Sequence, residues 1–320
     1  RRQAELRNFI NSLKDQAFHG KTFPIPPTLA DLIWNRLHVL PIENLFGKVD
    51  VFHSSDWTQP PSKAFKVTTI HDLVPIRFPD LSNPKIVEVH KKRLTHVKKE
   101  VDKIIAVSQF TKNEIVDLLD INPNKIQVIN EAVDPTLEVS SQKKIKATLT
   151  KNKIEGKFLL MVGTDLRKNI NQTIEAFKIV RKNYPELLLV IAGIPLNPIP
   201  KIDGVLPVGY IPRDELIDLY SGAKALVYPS LYEGFGLPIL EAMKLECPVI
   251  TSNLSSMPEV AGGAAVLVNP EDQKDIANGI EKVLADPVLW INRGKKRVKE
   301  FSWANVAENT LKIYQEALSP

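Results

Sequence analysis

Short apolar runs that stop at a glycine or proline, each trailed by a stretch of helical period, recur through the second half of the chain and constrain its fold more than any other feature. Phe158-Leu159-Leu160-Met161-Val162 stops at Gly163, and Ile170, Ile174, Phe177 and Val180 then follow at helical spacing. Leu187 to Ala192 reads as the next strand, Leu206 to Tyr210 as a weaker one, and Asp214 to Tyr220 as a helix. Ala225 to Tyr228, Pro238 to Leu245 and Pro248 to Thr251 continue as strand, helix and strand. Unbroken apolar runs of this length suit strands covered on both faces, as in parallel sheets. Strand–helix alternation with such short connections predicts an α/β fold built on a doubly wound parallel sheet.

The first half repeats the pattern less clearly. Val49 to His53, Lys66 to Ile70, Lys103 to Val107 and Ile126 to Ile129 read as strands, with Asn83 to Lys99 and Thr111 to Leu119 as helices. Glu138 to Lys153, rich in Ser, Lys and Thr, reads as a linker with some helix. The expected organisation is two Rossmann-like domains, residues 1–145 and 146–302, facing a central cleft, with a closing helix over residues 303–320. Ligands of such sheets bind beyond the carboxyl ends of the strands, so the cleft is the expected site. Residues 1–30 show neither the strand nor the Gly-rich turn that should open a doubly wound domain, and the chain starts at Arg1. An upstream strand and helix are therefore expected.

At 320 residues, with 43% hydrophobic and 25% charged residues, the chain has an ordinary globular composition. Its longest nearly continuous apolar run, Leu187 to Leu196, is broken by Gly193 and Pro195, whereas a membrane-spanning helix needs about 20 apolar residues. Arg1 to Leu6 has no apolar core of a secretory signal, and the one cysteine, Cys247, excludes an internal disulfide. The expected compartment is the cytoplasm. The net charge of +5 lies entirely within residues 1–150 and is dense at Lys91-Lys92-Arg93 and Lys98-Lys99. That run is either a solvated helix face or a surface leaning on anionic lipid or an anionic acceptor. No basic stripe interleaved with aromatics suggests nucleic acid. The six histidines lack metal-ligand spacing. His53 either lines the cleft or is packed, and Cys247 has no His/Asp constellation to make it a nucleophile. The four tryptophans, Trp34, Trp57, Trp290 and Trp303, read mainly as packing residues, although Trp57 could stack on an acceptor sugar.

The sharpest motif is Glu233-Gly234-Phe235-Gly236-Leu237-Pro238-Ile239-Leu240-Glu241, between a strand and a helix. Pro238 suits a first helical position, and Gly234 and Gly236 allow backbone to approach a ligand. A glycine loop feeding a helix amino end offers unpaired N–H groups and the positive dipole end to a phosphate. The two glutamates would repel phosphate, but they fit hydroxyls on either side of it, as on a nucleotide sugar. Glu241, read as lying in the first turn, would also be favoured there by the dipole alone. Gly163-Thr164-Asp165-Leu166-Arg167-Lys168-Asn169 falls at the same cleft edge, where Arg167 and Lys168 could neutralise a diphosphate leaving group. No Asp-x-Asp pair is present to hold a divalent ion.

These residues carry a resemblance. The run from Gly163 to Pro270 resembles the retaining glycosyltransferases of family four, which have the two-domain GT-B fold, through Arg167-Lys168-Asn169 and the pair Glu233 and Glu241. Thr251-Ser252-Asn253-Leu254-Ser255-Ser256-Met257-Pro258-Glu259 is similar to bacterial mannosyltransferases of that family. Val51 to Ser54, Thr69 to Leu73 and Val107 to Lys112 extend the likeness over nearly the whole chain. The resemblance implies that Arg167 and Lys168 bind the diphosphate, helped by the backbone of Gly236 and Leu237. Glu241 would hold the ribose, and Glu233, with Phe235 and Gly236, the donor sugar. His71 would contact that sugar near its anomeric carbon, and Tyr210 and Ile211 would grip the base. Gly163-Thr164 stands where many relatives carry Gly-Arg or Gly-Ser, leaving the cationic part to Arg167 and Lys168. The implied activity is retaining, metal-independent, cofactor-free transfer of a hexose onto a glycan or glycolipid in cell-surface polysaccharide synthesis. GDP-mannose is the expected donor. The alternatives are another donor such as UDP-glucose, or a nucleotide-sugar-binding protein without turnover.

Overall fold

The computed structural model describes residues 21, 23–195 and 198–318. Most of the stretch read as lacking an opening strand, residues 1–20 and 22, lies outside the described residues. The strands are β1 (Val51–Ser54), β2 (Phe65–Ile70), β3 (Lys103–Ala106), β4 (Ile126–Val128), β5 (Phe158–Val162), β6 (Leu188–Ala192), β7 (Val205–Gly209), β8 (Ala225–Tyr228), β9 (Val249–Ser252) and β10 (Val266–Val268). The main helices are α1 (Pro84–Glu100), α2 (Gln109–Leu119), α3 (Gln142–Lys151), α4 (Ile170–Arg181), α5 (Arg213–Gly222), α6 (Leu237–Lys244), α7 (Met257–Ala261), α8 (Gln273–Ala285), α9 (Pro287–Arg297) and α10 (Trp303–Gln315). No described helix is long and apolar enough to cross a membrane.

Two parallel sheets result, as expected. The first runs β1-β2-β3-β4 in chain order, with Val51 opposite Phe65, Val67 opposite Lys103 and Ile104 opposite Ile126. The second runs β10-β9-β8-β5-β6-β7, so its winding reverses between β5 and β8. At such a reversal the helices that follow adjacent strands lie on opposite faces of the sheet, here α4 and α6, which leaves a crevice at the carboxyl edge.

The strands hold because alternate residues feed two cores. In the second sheet, Phe158, Leu160, Val190, Leu226 and Val249 pack with Ile239 and Met243 of α6. Leu159, Met161, Leu189, Ile191 and Val227 face the other way, onto Phe177 of α4 and Ile280 of α8. In the first sheet, Ile70, Ile104 and Ile126 pack with Leu94 and Val97 of α1 and Ile115 of α2. Its opposite face, with Val67, Ile105 and Ile129, is closed by Ile313 from α10. The expected closing helix therefore returns to the first sheet after α9 has packed on the second. His53 follows from this: it is a packed histidine under α10, 2.6 Å from the Tyr314 hydroxyl and 2.9 Å from Thr69 Oγ1, with burial depressing its pKa.

Other expectations shift. The stretch read as a linker with some helix is mostly α3, capped by Ser141, with Ile145 and Thr148 buried and Thr148 Oγ1 donating to Asp218 Oδ2 at 2.6 Å. A helix docked on α5 leaves little of that segment as free linker. The basic run is not one continuous surface either. Arg93 turns inward and donates to Asp56 Oδ1 at 2.9 Å and Thr68 Oγ1 at 2.6 Å, while Lys92 pairs with Glu88 and Lys98 with Asp120. Trp290 is buried as read, but Trp57 and Trp303 are exposed. Cys247 is buried, which pushes its thiol up to about 12 and leaves it inert at neutral pH.

Because Ile313 is fully buried against the first sheet, Ile313→Ala is expected to destabilise the protein by about 2–5 kcal/mol. Urea denaturation followed by far-ultraviolet dichroism checks this. A loss below about 1 kcal/mol would show that α10 is dispensable to the first sheet's core.

Candidate active site

The loops leaving β5 and β8 meet at the winding reversal, and both expected motifs lie on them. Gly163 takes the first step with φ +85°, where a Cβ would also stand 2.9 Å from Lys168 Cε, so the Lys168 side chain folds back across it. The Leu231 N–H donates to the Arg167 carbonyl at 2.8 Å, which joins the two loops. Asn169, in the left-handed region at φ 64°, is buried and donates to the carbonyls of Pro229 at 3.2 Å and Pro270 at 2.6 Å. Its part in the Arg167-Lys168-Asn169 motif is thus to fasten the loops after β5, β8 and β10 together.

Lys168 and Glu233 are brought together. The Lys168 ammonium donates to Glu233 Oε1 at 2.6 Å and to the Tyr228 hydroxyl at 2.5 Å, and it lies 4.7 Å from the Tyr228 ring centre. Both charged side chains are largely enclosed, 14% and 12% exposed. Burial first, and then the Glu233 carboxylate, hold the Tyr228 hydroxyl well above its usual range, so it stays neutral. Arg167 lies apart from this pair, its Nε 3.2 Å from Asp165 Oδ1. It lines a cleft cavity of about 370 Å³, with Leu166 on its own side and Asp56, Trp57 and Asp72 from the first-sheet side. Burial pushes the Asp56 carboxyl up to about 6, with Arg93 opposing.

The glycine loop then turns into α6. Gly236 has φ +102°, and Leu237, not Pro238, is the first helical residue. Pro238 carries no N–H, and the Ile239 N–H is held by the Gly236 carbonyl at 3.0 Å. The N–H groups of Gly236 and Leu237 find no acceptor among the described residues, so they stand free at the positive end of the helix dipole. The Phe235 side chain is in the core, edge-on to Phe301 at 5.9 Å, so only its main chain is left for the expected part in holding the donor. Glu241 is the fifth residue of α6 and not in its first turn. It accepts from the Tyr220 hydroxyl at 3.3 Å and lies 3.7 Å from Arg213 Nη1; burial raises its pKa and Arg213 opposes. The two glutamates therefore serve separate surroundings. Tyr210, 74% exposed, stands free after β7, whereas Ile211 is half-buried against the edge of the core.

From the first-sheet side, His71 reaches the same loop. Its carbonyl lies where a Cβ on Gly234 would be, only 1.8 Å away. Gly234 thus permits a backbone-to-backbone approach between the two halves, not the approach to a ligand that the motif suggested. The His71 ring lies 2.9 Å from Glu131 Oε1, and that hydrogen bond raises the imidazole pKa, against its burial.

Several partners escaped the sequence reading. Ser255 Oγ accepts from the Glu233 N–H at 3.1 Å, and Ser256 Oγ lies 2.9 and 2.8 Å from the carbonyls of Glu233 and Phe235. Both belong to the Thr251–Glu259 motif, which was the available signal. Tyr228 and Glu131 had none, since one reads as a buried strand residue and the other as a loop carboxylate. Among the described residues no grouping of three or more His, Cys, Asp or Glu could hold a metal ion.

Comparison with known proteins agrees with this architecture. Residues 141–300 match the family described as Glycosyl transferases group 1, and residues 5–137 match Glycosyltransferase Family 4. The O-antigen chain mannosyltransferase B of Escherichia coli is 30% identical over 281 residues, covering 83% of this chain and 74% of that protein. The serotype-specific mannosyltransferase WbdA of Escherichia coli is 28% identical over 274 residues, 79% of this chain but only 33% of that protein. This chain thus spans about a third of WbdA. Among solved structures, a glycosyltransferase from Rickettsia africae superposes with a TM-score of 0.67 at 17% identity, over 98% of this chain and 88% of that one. With a family match that spans half of its length and a relative at 30% identity, the chain belongs to the group 1 family of glycosyltransferases.

Proposed function

We propose that this chain transfers a mannosyl group from GDP-mannose to a glycan or glycolipid hydroxyl, with retention and without a divalent metal, in cell-surface polysaccharide synthesis at the cytoplasmic side of the membrane. The observation that carries the reading is the Lys168–Glu233 pair beside the free N–H groups of Gly236 and Leu237. A diphosphate seated on those N–H groups competes for the Lys168 ammonium. Glu233, released from its partner, accepts hydroxyls of the sugar. One cation thereby exchanges a carboxylate for a phosphate, and the carboxylate becomes a ligand only when the donor is bound. Mannose is favoured over other hexoses by the two Escherichia coli relatives, both named mannosyltransferases.

In this reading Glu241 holds the ribose, and Tyr210 and Ile211 hold the base. The cavity between Arg167 and Trp57 receives the acceptor, with Trp57 offering a face to a sugar ring and Asp56 and Asp72 accepting its hydroxyls. The bond from the anomeric carbon to the diphosphate breaks with its electron pair passing to the phosphate oxygen. The acceptor oxygen bonds to the same face, and its proton passes to the departing phosphate. Arg167, Lys168 and the helix amino end stabilise the charge that develops there, in place of a metal ion. His71, its protonated form favoured by Glu131, adds positive charge from the other side.

Lys168→Met and Glu233→Gln are each expected to lower the transfer rate by about 10²–10³, the usual consequence of losing one group aimed at developing charge. Arg167→Ala, lacking a second charge-assisted contact, is expected to lose about tenfold. Steady-state transfer from GDP-mannose, with and without a chelator, checks both the residues and the metal independence. Rates within a few-fold of the parent in all three variants, or loss of activity on chelation, would contradict this site.

A pH prediction follows from His71. Its folded pKa is raised, so the stabilisation from the Glu131 pair is complete below about 6.5, the unperturbed value, and is lost as pH rises through the folded pKa. Titration of the His71 ring by nuclear magnetic resonance should show a midpoint above 6.5, falling in Glu131→Gln. An unchanged midpoint in the variant would show that Glu131 does not hold the proton.

A further inference from the structure

The Thr251–Glu259 motif ends in a carboxylate that the transfer chemistry does not use. Glu259 lies on α7, which packs in the core of the second sheet. Its backbone is pinned there: Arg297 donates through Nη2 to the Glu259 carbonyl at 2.5 Å and through Nε to the Val260 carbonyl at 3.0 Å. Among the described residues, every hydrogen-bond partner of its carboxylate belongs instead to the first-sheet half. The Gln109 N–H donates to both oxygens, at 3.0 and 2.9 Å, the Phe110 N–H reaches Oε2 at 3.4 Å, and Asn130 Nδ2 reaches Oε1 at 3.2 Å.

The chemistry of this contact is that of a helix cap supplied from another part of the chain. The first N–H groups of α2 have no partner within the helix. Ser108 Oγ takes the Thr111 N–H at 3.0 Å, and the two N–H groups before it fall to Glu259. A carboxylate is favoured there by the helix dipole as well.

The same two segments grip the loop that carries Glu233. From the α7 side, Ser255 and Ser256 hold the main chain of Glu233 and Phe235. From the α2 side, Ser108 Oγ and Thr111 Oγ1 donate to the Gly234 carbonyl at 2.6 and 3.0 Å. Tyr232 adds an anchor, its ring edge-on to Phe78 and Phe110 and its hydroxyl donating to Glu114 Oε2 at 3.1 Å. The closure of the cleft and the geometry of the Glu233 loop are therefore one arrangement.

We propose that Glu259 is a positioning residue, an interdomain latch whose carboxylate on the amino end of α2 sets the closure at which His71 meets the Glu233 loop. It touches neither substrate nor reacting atoms. The kinetic consequence rests on the transferase reading above; the latch itself does not.

Three single variants and one double variant, Glu259→Ala with Gln109→Pro, test it by small-angle X-ray scattering and by kinetics. Glu259→Ala should enlarge the radius of gyration of the free protein and lower kcat at least tenfold. GDP affinity should stay within threefold of the parent, because the proposed nucleotide contacts lie on the second-sheet half. Glu259→Gln, which keeps an acceptor oxygen but not the charge, should recover much of the kcat. Gln109→Pro removes the N–H from the opposite partner. Proline is accommodated at a first helical position, and Ser108 at φ −152° and ψ 163° already has the extended backbone required before it. This variant should reproduce Glu259→Ala, and the double variant should add little to either. If Glu259→Ala does not fold, Gln109→Pro decides alone. Unchanged scattering and kcat in the variants, or additive effects of the two, would overturn the latch. A parent that transfers no mannose, with variants that still scatter as more open particles, would overturn the transferase reading and leave the latch standing.

Discussion

The His71 carbonyl occupies the space in which residue 234 would otherwise carry a side chain, and a Cβ built there would sit 1.8 Å from it. Cβ has no rotamer with which to escape, so any residue other than glycine must push the two halves of the molecule apart. Further contacts surround this one. Gly234 lets the loop after β8 lie against the first-sheet half, its carbonyl is taken by Ser108 and Thr111, and Tyr232 is anchored between Phe78 and Phe110. Glu233 is thereby held at the cleft, one residue away from the contact that positions it.

The Lys168–Glu233 pair sits at the carboxyl edge of β5 and β8, where the second sheet reverses its winding. Enclosing two opposite charges carries a desolvation cost that their attraction repays only with good geometry, and removing one partner of such a pair costs about 3–5 kcal/mol. Neutral packing would serve stability as well. A pair that can be exchanged for a phosphate on one side and hydroxyls on the other serves a ligand better. In the proposed donor complex that phosphate would be received by the free N–H groups of Gly236 and Leu237 at the amino end of α6.

Much of this was legible in the sequence where burial alone sets the pattern. Phe158 to Val162 and Ala225 to Tyr228 are covered on both faces, so their composition announces parallel strands, and the glycines and Pro238 mark where α6 begins. Of the residues that the resemblance grouped, Lys168 and Glu233 are neighbours, whereas Arg167 lies apart against Asp165. What stayed hidden depends on partners far along the chain. His53 meets Tyr314 across 261 positions, and Arg93 leaves a surface lysine run to satisfy Asp56. Phe235 lies in a motif whose main chain faces the cleft while its ring faces the core. No periodicity in a nine-residue loop distinguishes those two directions.

A crystal structure with GDP bound tests the proposed donor site most directly. The diphosphate should lie within hydrogen-bonding distance of the Gly236 and Leu237 N–H groups, with Lys168 Nζ moved from Glu233 to a phosphate oxygen and guanine beside Tyr210 and Ile211. A nucleotide bound elsewhere, with the Lys168–Glu233 pair intact, would contradict it.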